Sequence, residues 1–538
     1  MNLGADLAKV VIKIFIWIFR IIWKPIIAIV KFTMPFGLFI AWAWKKLLLD
    51  GLTHIDPDNV IVYYVLLSLG ILMTFLFTTR NLIRLFTRNP RWGWIRLISG
   101  NLISEKAVLK GNTKPMERQD NDVSGVLFGQ ANKKYVTQKE TEDGHILVVG
   151  GPASGKTSCV AIPSLMTWKD RVFAIDIKGE LSTKSGRTGI IFNPCNPDCS
   201  YGYDPYYLLS VSKNRVQDAR EIALMLIPIS NDIKDPFWKQ SAQNLLTASI
   251  LYFHKCGLNF PKTLEAIQTT PTQILVEIIS NSDDNDSRMF VNQFIGLDPK
   301  TLAGIATELS NSIMIFATDP ELKAALSKDI CINPKLIEQG KDVFIQIPED
   351  KLELWRNLLT LIIQQFLKHF ERRLDGEGTP VLVLLDEFAR LGKLDTIQNG
   401  LATLRSKKIH ICIITQSLAQ IDFLYGKSQS QSIVNSCSYK AILKASDDET
   451  QRSLSNLVGT YEKQKITQSA NFEQYTKLGK GTGRSITTQR ERIIQPEEFA
   501  YLEDIVLLAP TGFMRVEKVS CYTDKRFRAV NVSEEVTA

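Results

Sequence analysis

Residues 150–157 read GGPASGKT, which fits the pattern G-x-x-x-x-G-K-[ST] of a loop that wraps nucleotide phosphates. In such a loop, backbone N–H groups surround phosphate oxygens, Lys156 reaches the β- and γ-phosphates, and the Thr157 hydroxyl ligates Mg²⁺. The apolar run 145–149 predicts a buried strand, and a helix is predicted from Ser158 onward, with its positive dipole end at the phosphates. The predicted nucleotide contacts are Gly150, Gly151, Pro152, Ala153, Ser154, Gly155, Lys156, Thr157 and Ser158.

A phosphate loop of this kind needs a carboxylate at the end of a neighbouring strand to hold Mg²⁺, and a second group to orient the attacking water. Asp386 and Glu387 directly follow five apolar residues, 381–385, which predict a buried strand. We expect Asp386 to serve the metal and Glu387 to polarise water. Asp176 follows a shorter strand pattern and is the alternative candidate for the carboxylate that holds Mg²⁺, although it fits better as a structural residue near the site.

Two further polar residues lie near predicted strand ends. Residues 409–417, IHICIITQS, predict another buried strand that ends at Gln416, where an amide can sense the γ-phosphate or position water. Between the two strands, residues 396–408 predict a helix that carries Arg405. Both Gln416 and Arg405 are therefore candidate catalytic residues.

Positioning these side chains requires a sheet whose strand ends meet at one edge. Strand patterns alternate with helical patterns over 145–205 and 340–445, which predicts an α/β fold with a parallel sheet covered on both faces. The phosphate loop would lie at the carboxyl edge of that sheet. Because 230 residues separate Lys156 from Asp386 and helical patterns dominate between them, an all-α insertion is predicted at about 206–324.

The clearest helix of the insertion begins at the sequence DPFW. Asp235 is its predicted N-cap, Pro236 its first residue and Gly257 its stop signal. A buried face is predicted for the apolar residues at helical spacing, which are Trp238, Ala242, Leu245, Leu246 and Phe253.

The net charge of +8 arises in the amino-terminal segment. Residues 1–96 hold twelve basic and four acidic residues, whereas the remainder is formally neutral, so global basicity gives no sign of a nucleic-acid partner. Two apolar stretches, at about 26–44 and 59–78, predict transmembrane helices within a membrane anchor, 1–97. Basic residues flank both stretches, which predicts that the N-terminus and the main body of the chain lie in the cytoplasm.

An ordered set of motifs resembles one family. GGPASGKTS, AIDIKGE, FNPCNP, DPFW, VLLDEFARLGKL, LATLRS, IITQSLAQI and RIIQPEEF occur in this order after the two predicted spans. This set is similar to that of the type IV coupling proteins, the TraD/TraG-like ATPases of conjugation and type IV secretion. The similarity covers essentially the whole chain.

The resemblance implies a RecA-like P-loop nucleotide-binding domain in two parts, 98–205 and 325–538, separated by the all-α domain. It implies ATP and Mg²⁺ as cofactors, a homo-hexamer anchored in the bacterial inner membrane, and nucleotide bound between subunits. Arg405 is then the candidate finger that reaches the neighbouring subunit's γ-phosphate, and Gln416 matches the family's sensing glutamine. The implied partners are relaxosome components, relaxase-bound single-stranded DNA and/or effector proteins, and the secretion channel.

The polar, locally basic segment 463–492 is a candidate DNA contact. Lys477, Lys480 and Arg484 could meet DNA phosphates without reading sequence, and a mobile surface loop is the alternative. For the whole chain, two other functions stay open. One is a DNA-segregation or packaging motor of related fold, and the other is a docking receptor in which nucleotide only stabilises assembly.

Overall fold

The computed structural model of the protein describes residues 118–119, 123–196, 198–199, 201–229, 235–394, 396–470 and 482–527. The predicted membrane spans 26–44 and 59–78 lie outside these ranges, as do Lys477 and Lys480. Within the described ranges, no helix combines the length and the apolar character needed to cross a bilayer.

The strands of the described residues lie mostly on either side of a long helical segment. In chain order they are β1 (Arg118–Gln119), β2 (Val126–Ala131), β3 (Lys134–Gln138), β4 (His145–Val149), β5 (Arg171–Ile175), β6 (Ile190–Phe192), β7 (Gly202–Tyr203), β8 (Cys331–Ile332), β9 (Val343–Ile345), β10 (Val381–Leu385), β11 (Ile409–Thr415), β12 (Cys437–Ile442), β13 (Thr460–Ala470), β14 (Thr482–Arg492), β15 (Ile505–Ala509) and β16 (Gly512–Val516).

Among these strands, nine form the central sheet in the order β16-β15-β12-β4-β11-β10-β5-β9-β6. The strands from β12 to β6 are parallel, as the sequence predicts. The antiparallel pair β15 and β16 extends one edge and was not predicted. The sheet is therefore mixed rather than wholly parallel.

Both faces of the central sheet are buried, which explains the unbroken apolar runs in its strands. In β4, Ile146 and Val148 belong to one buried cluster, whereas Leu147 and Val149 belong to another on the opposite face. Successive side chains of a strand point to opposite faces, so a strand covered on both sides must be apolar throughout. This arrangement confirms the predicted α/β class.

The helices of the described residues cover these faces and fill the segment between β7 and β8. In chain order they are α1 (Ile162–Thr167), α2 (Glu180–Ser185), α3 (Tyr207–Val211), α4 (Arg215–Leu226), α5 (Phe237–Lys255), α6 (Phe260–Thr269), α7 (Thr272–Ser280), α8 (Asn285–Val291), α9 (Pro299–Thr318), α10 (Pro320–Ala325), α11 (Pro334–Glu338), α12 (Arg356–Glu371), α13 (Ile397–Thr403), α14 (Leu418–Tyr425), α15 (Lys427–Ser436) and α16 (Asp448–Val458).

Helices α3 to α10 occupy the segment in which the all-α insertion is predicted. Their buried side chains, such as Leu245 and Phe316, belong to the same cluster as Phe173 and Leu385 of the central sheet. The helical segment therefore packs through a continuous apolar core onto the sheet that carries the site.

The start of α5 differs from the prediction. The helix begins at Phe237, with Pro236 as N-cap, while the Asp235 carboxylate accepts a hydrogen bond from the Phe237 N–H at 3.1 Å. Trp238 is 39% exposed rather than buried, because it lies in the first turn and packs one side of its ring against Gly304 of α9. Gly257 follows the helix with a φ of +80°, as expected of a stop signal.

The small antiparallel sheet of β1, β3 and β2 braces the helix that follows the phosphate loop. The Leu127 N–H donates to Ser164 Oγ at 2.9 Å, and Thr167 Oγ1 donates to the Gly125 carbonyl at 2.7 Å. Ser164 and Thr167 both lie in α1, so the small sheet fixes α1 against the central sheet.

Replacing Phe366 by Ala should destabilise the protein strongly. Phe366 of α12 stacks on Phe173 of β5 with ring centroids 4.3 Å apart, and both rings are buried. Removing a buried Phe ring costs about 3–5 kcal/mol, so we expect thermal unfolding of the chain to begin several degrees lower. Phe423→Ala, which removes a ring that is 90% exposed, is the matched control and should change Tm little. Equal shifts in the two variants would contradict this assignment of the core.

Candidate active site

The glycine-rich loop connects β4 to α1 and is tied to both strands beside β4. The Gly150 N–H donates to the Thr415 carbonyl at the end of β11 (3.1 Å), and the Gly151 N–H donates to the Lys444 carbonyl just beyond β12 (2.5 Å). Gly155 has a φ of +95°, and a Cβ atom there would lie 2.9 Å from Cys159 Sγ. Glycine is therefore required at 155 for both conformation and space.

The helix after the loop starts earlier than the sequence predicts. Lys156–Ala161 form a turn wider than an α-turn, which continues directly into α1, so the helix begins two residues before Ser158. Residues 152–158, which include Thr157, line one cavity. Ser154 also lines the cavity, and its buried hydroxyl has no hydrogen-bond partner among the described residues.

Lys156 lies inside the site rather than in solvent. It is 7% exposed, and its ammonium group donates to the carbonyls of Gly150 at 2.7 Å and Gly151 at 3.3 Å. Burial lowers the pKa of Lys156, while the nearby carboxylates Glu387 and Asp386 act in the opposite direction. The loop thus holds the ammonium group in place through its own carbonyls.

Asp386 and Glu387 follow β10 as predicted, and the first of them is almost completely buried. Asp386 is 3% exposed, and its Oδ1 accepts a hydrogen bond from the Glu387 N–H at 3.0 Å. Burial, followed by the charge of Glu387, raises the pKa of Asp386 to about 7. Glu387 has a φ of +49°, in the left-handed region that few residues other than glycine adopt.

Gln416 lies between the loop and the acidic pair, because β11 lies between β4 and β10 in the sheet. Gln416 Nε2 donates to Glu387 Oε2 at 2.8 Å. The side chains predicted separately from three sequence patterns therefore meet at one edge of the sheet. Lys156, Glu387 and Gln416 all line the same cavity, which encloses about 330 Å³.

Asp176 supports an adjacent helix and does not line the cavity. It is fully buried, and its Oδ2 accepts hydrogen bonds from the N–H groups of Leu181 (3.0 Å) and Ser182 (3.2 Å) in α2. Gln346 donates to the same oxygen at 3.4 Å. Burial raises the pKa of Asp176, and these hydrogen bonds oppose that shift.

Four residues that line the cavity were missed by the sequence analysis: Ile162, Lys178, Glu180 and Tyr522. Lys178 and Glu180 follow Asp176 in the motif AIDIKGE, so their position after a strand end was a usable signal. Tyr522 lies far away in the sequence, outside any strand or helix pattern, and nothing in its surroundings indicated a role in the site.

Arg405 lies at the opposite edge of the sheet from the phosphate loop. The helix predicted for 396–408 ends as α13 at Thr403, and Arg405 is an exposed residue of a following 3₁₀ turn, Arg405–Lys407, just before β11 begins. His145 lies at the start of β4, and its pKa is lowered to about 3. Burial is the main cause of this shift, and the positive charge of Arg405 contributes to it. Arg405 is thus separated from its own phosphate loop by the length of a strand.

The segment proposed as a DNA contact contains a two-stranded ribbon, which was not predicted. β13 and β14 pair along their whole length, from Thr460 opposite Arg492 to Ala470 opposite Thr482. Arg484 lies in β14, opposite Gln468, while Lys477 and Lys480 fall outside the described residues. The suggested contacts of these residues with DNA stay a prediction.

Comparison with known proteins gives one consistent family. Residues 99–538 match the family described as type IV secretory system conjugative DNA transfer. Protein VirD4 of Rhizobium rhizogenes is 26% identical over 431 residues, which cover 76% of this chain and 63% of that protein. The conjugal transfer protein TraG of Agrobacterium fabrum is 23% identical over 418 residues, which cover 71% of this chain and 62% of that protein. The chain thus spans slightly less than two thirds of the length of these relatives.

Solved structures show the same fold. A structure of the bacterial conjugative coupling protein TrwBΔN70 superposes with a TM-score of 0.59 at 18% identity, covering 75% of this chain and 89% of that one. The plasmid coupling protein TrwB in complex with the ATP analogue ADPNP gives a TM-score of 0.58, also at 18% identity, covering 76% and 94% of the two chains.

Replacing Asp386 by Asn should stabilise the ligand-free chain in a pH-dependent way. The pKa of Asp386 is raised from 3.8 to about 7, so the folded chain binds more protons than the unfolded chain between these values. The stability contributed by the neutral carboxyl group is present below about pH 4 and is lost as the pH rises through 7. We expect Asp386→Asn to raise Tm at pH 8 and to have little effect at pH 4, measured by thermal unfolding.

The control for this experiment is Asp283→Asn, because the Asp283 side chain is 92% exposed. It should not reproduce the difference between the two pH values. If the Asp386→Asn variant had the same Tm as the wild type at both pH values, that result would contradict the burial of a charged carboxylate at this position.

Proposed function

Because this chain belongs to the type IV secretory system conjugative DNA transfer family, we propose that it is a coupling protein that recruits substrate to a type IV secretion channel and drives its transfer by ATP hydrolysis. One observation carries the proposal of hydrolysis. Lys156, Glu387 and Gln416, from three neighbouring strand ends, line a single cavity together with the phosphate loop. This is the arrangement that phosphoryl transfer to water requires.

The residues of the cavity fit a nucleoside triphosphate. The loop offers phosphate oxygens its backbone N–H groups, the Lys156 ammonium group and Ser154, whose hydroxyl has no hydrogen-bond partner within the described part of the chain. The similar protein TrwB has been solved with ADPNP and with ADP and Mg²⁺, which supports ATP and Mg²⁺ as the cofactors here. Phosphate oxygens would take over the hydrogen bonds that Lys156 now donates to Gly150 and Gly151.

Thr157 and Asp386 are the residues that would hold Mg²⁺. A hydroxyl and a carboxylate are the hard oxygen ligands that this ion prefers, and the buried Asp386 carboxylate needs a compensating cation to stay ionised. Mg²⁺ bound there would neutralise charge on the phosphate oxygens. The chain's own contribution is to hold both ligands at the edge of a rigid sheet.

Glu387 is the proposed residue for activating water. Its Oε2 already accepts a hydrogen bond from Gln416, so the amide restrains the carboxylate on the side that faces the cavity. Gln416 lies at the end of β11, between the strand that precedes the phosphate loop and the strand that precedes Glu387. From there it can contact both Glu387 and a terminal phosphate. We propose that Gln416 links the state of that phosphate to the position of Glu387.

The role proposed for Arg405, contact with a γ-phosphate, requires an assembly of several subunits. Since it lies at the amino edge of its own sheet, it can reach a γ-phosphate only across a contact with another copy of the chain. A head-to-tail contact of this kind generates a ring when it closes, and a homo-hexamer anchored in the inner membrane by spans 26–44 and 59–78 is the proposed assembly. The proposed cargo is relaxase-bound single-stranded DNA and/or effector proteins, passed to the secretion channel with relaxosome components as partners.

Hydrolysis by the full chain in detergent, with and without single-stranded DNA, tests the function. We expect turnover that increases with protein concentration and with DNA. Lys156→Ala should lose nucleotide binding and hydrolysis together. Glu387→Gln should bind ATP normally and hydrolyse it about 10²–10⁴-fold more slowly, because it keeps the shape but loses the base. Glu353→Gln, at an 82% exposed glutamate, is the control and should remain active.

Other outcomes of this experiment separate the alternatives. Turnover that does not respond to DNA would favour protein cargo. Nucleotide binding without turnover in the wild type, under every condition, would contradict a motor and favour a docking receptor whose assembly is stabilised by nucleotide.

Mixing two inactive variants tests whether Arg405 acts across a subunit contact. Lys156→Ala retains the arginine and Arg405→Ala retains the phosphate loop, so mixed rings contain some complete sites. A subunit contact is complete when one subunit supplies Lys156 and its neighbour supplies Arg405. In an equal random mixture about a quarter of the contacts meet this condition, so hydrolysis should recover toward about a quarter of the wild-type rate. Arg452→Ala, at an exposed arginine elsewhere, should remain active alone. Mixtures that stay inactive, although mixed rings form, would contradict a role in the neighbouring site.

A further inference from the structure

A segment near the end of the described chain lies against the phosphate loop. This segment is 517–527. Its Cys521 N–H donates a hydrogen bond to the carbonyl of Ser158, the residue directly after the loop, at 2.9 Å. The Asp524 carboxylate accepts a hydrogen bond from the Tyr135 hydroxyl at 3.1 Å, and Cys521 and Phe527 are buried. These contacts fix the backbone of the segment on both sides of residue 522.

Tyr522 extends from this segment into the lining of the cavity. Its side chain is 47% exposed, and its hydroxyl accepts a hydrogen bond from the Lys184 ammonium group at 2.8 Å. Lys184 in turn donates to Glu180 Oε2 at 2.8 Å, and Glu180 also lines the cavity. The ring is thus held at its hydroxyl end by Lys184, whose Nζ lies 5.3 Å from the ring centroid.

Among the described residues that line this cavity, Tyr522 supplies the aromatic side chain. The loop, Lys156, Glu387 and Gln416 account for the phosphates and the attacking water, and they leave the base of the nucleotide without an assigned contact. The segment that carries Tyr522 is tied to Ser158 through the Cys521 N–H, whereas Glu387 and Gln416 follow strand ends. A half-exposed aromatic ring, restrained at one end, is suited to stacking on a flat base.

We propose that Tyr522 is the platform on which the base of the bound nucleoside triphosphate stacks. This inference rests on the proposed nucleotide site and adds to it a base contact supplied by a segment far from the phosphate loop in the sequence. Because Lys184 holds the ring at its hydroxyl end and Glu180 in turn holds Lys184, both position Tyr522 and do not themselves need to touch the base. Stacking contributes to affinity for the nucleoside end of the ligand and not to affinity for its phosphates.

Binding of two ligands to the full chain separates these contributions. Mg²⁺-ATP carries the base, whereas Mg²⁺-tripolyphosphate carries only the phosphates. We expect Tyr522→Ala to weaken ATP binding about tenfold or more and to leave tripolyphosphate binding unchanged. Tyr522→Phe keeps the ring and should bind ATP within about threefold of the wild type. Tyr501→Ala, at an 82% exposed tyrosine outside the cavity lining, is the matched control and should bind both ligands normally.

Three results would overturn the inference. Unchanged ATP binding in Tyr522→Ala would show that the ring makes no contact with the base. Equal weakening of ATP and tripolyphosphate would show that the segment only shapes the phosphate loop. Loss of ATP binding in Tyr522→Phe as large as in Tyr522→Ala would assign the effect to the Lys184 hydrogen bond. A wild-type chain that binds neither ligand would instead contradict the proposed nucleotide site itself.

Discussion

Burial of Asp386 beside Lys156 and Glu387 is the constraint on which the rest of the site depends. Charged groups removed from water must be compensated by opposite charge or by hydrogen bonds. Here the loop carbonyls hold Lys156, the Glu387 N–H holds Asp386, and Gln416 holds Glu387. The loop with Lys156, the acidic pair and Gln416 come from three different parts of the chain. A stable fold is therefore needed to keep the charges together before any ligand binds.

The order of the central strands supplies the required spacing. Neighbouring strands lie about 4.8 Å apart, so placing β11 between β4 and β10 separates the loop strand from the acid strand by roughly 10 Å. That interval gives room for phosphate groups between Lys156 and Glu387, and it places Gln416 in the middle. The two buried faces of the sheet keep this spacing constant, since both are covered by packed elements, and β2 and β3 of the small sheet contribute to one of these covers. Asp176 contributes by fixing the start of α2 next to the cavity.

The elements that could be predicted from the sequence are those with a local signal. The strands before Gly150, Asp386 and Gln416 are continuous apolar runs because both their faces are buried, and the polar residue after each run marks the carboxyl edge. Residues whose position depends on distant contacts gave no such signal. Tyr522 reaches the cavity through the backbone contact of Cys521 with Ser158, and Trp238 is exposed because of where its helix starts relative to α9. The antiparallel strands β15 and β16 were missed because short apolar segments at a sheet edge do not reveal their direction.

The ribbon of β13 and β14 has a mechanical consequence. The ribbon follows α16 after Gly459. In the first turn of α16, the Thr450 hydroxyl accepts a hydrogen bond from the Leu418 N–H at 3.0 Å, and Leu418 lies two residues after Gln416. Each ribbon strand has eleven residues and therefore extends about 37 Å from its base. If the ribbon moves as a rigid arm, a rotation of only 10° at that base shifts the tip by about 6 Å. The ribbon is a lever joined through α16 to the Thr450 contact near Gln416, so a small tilt of that helix becomes a displacement of several ångströms at the far end of the ribbon.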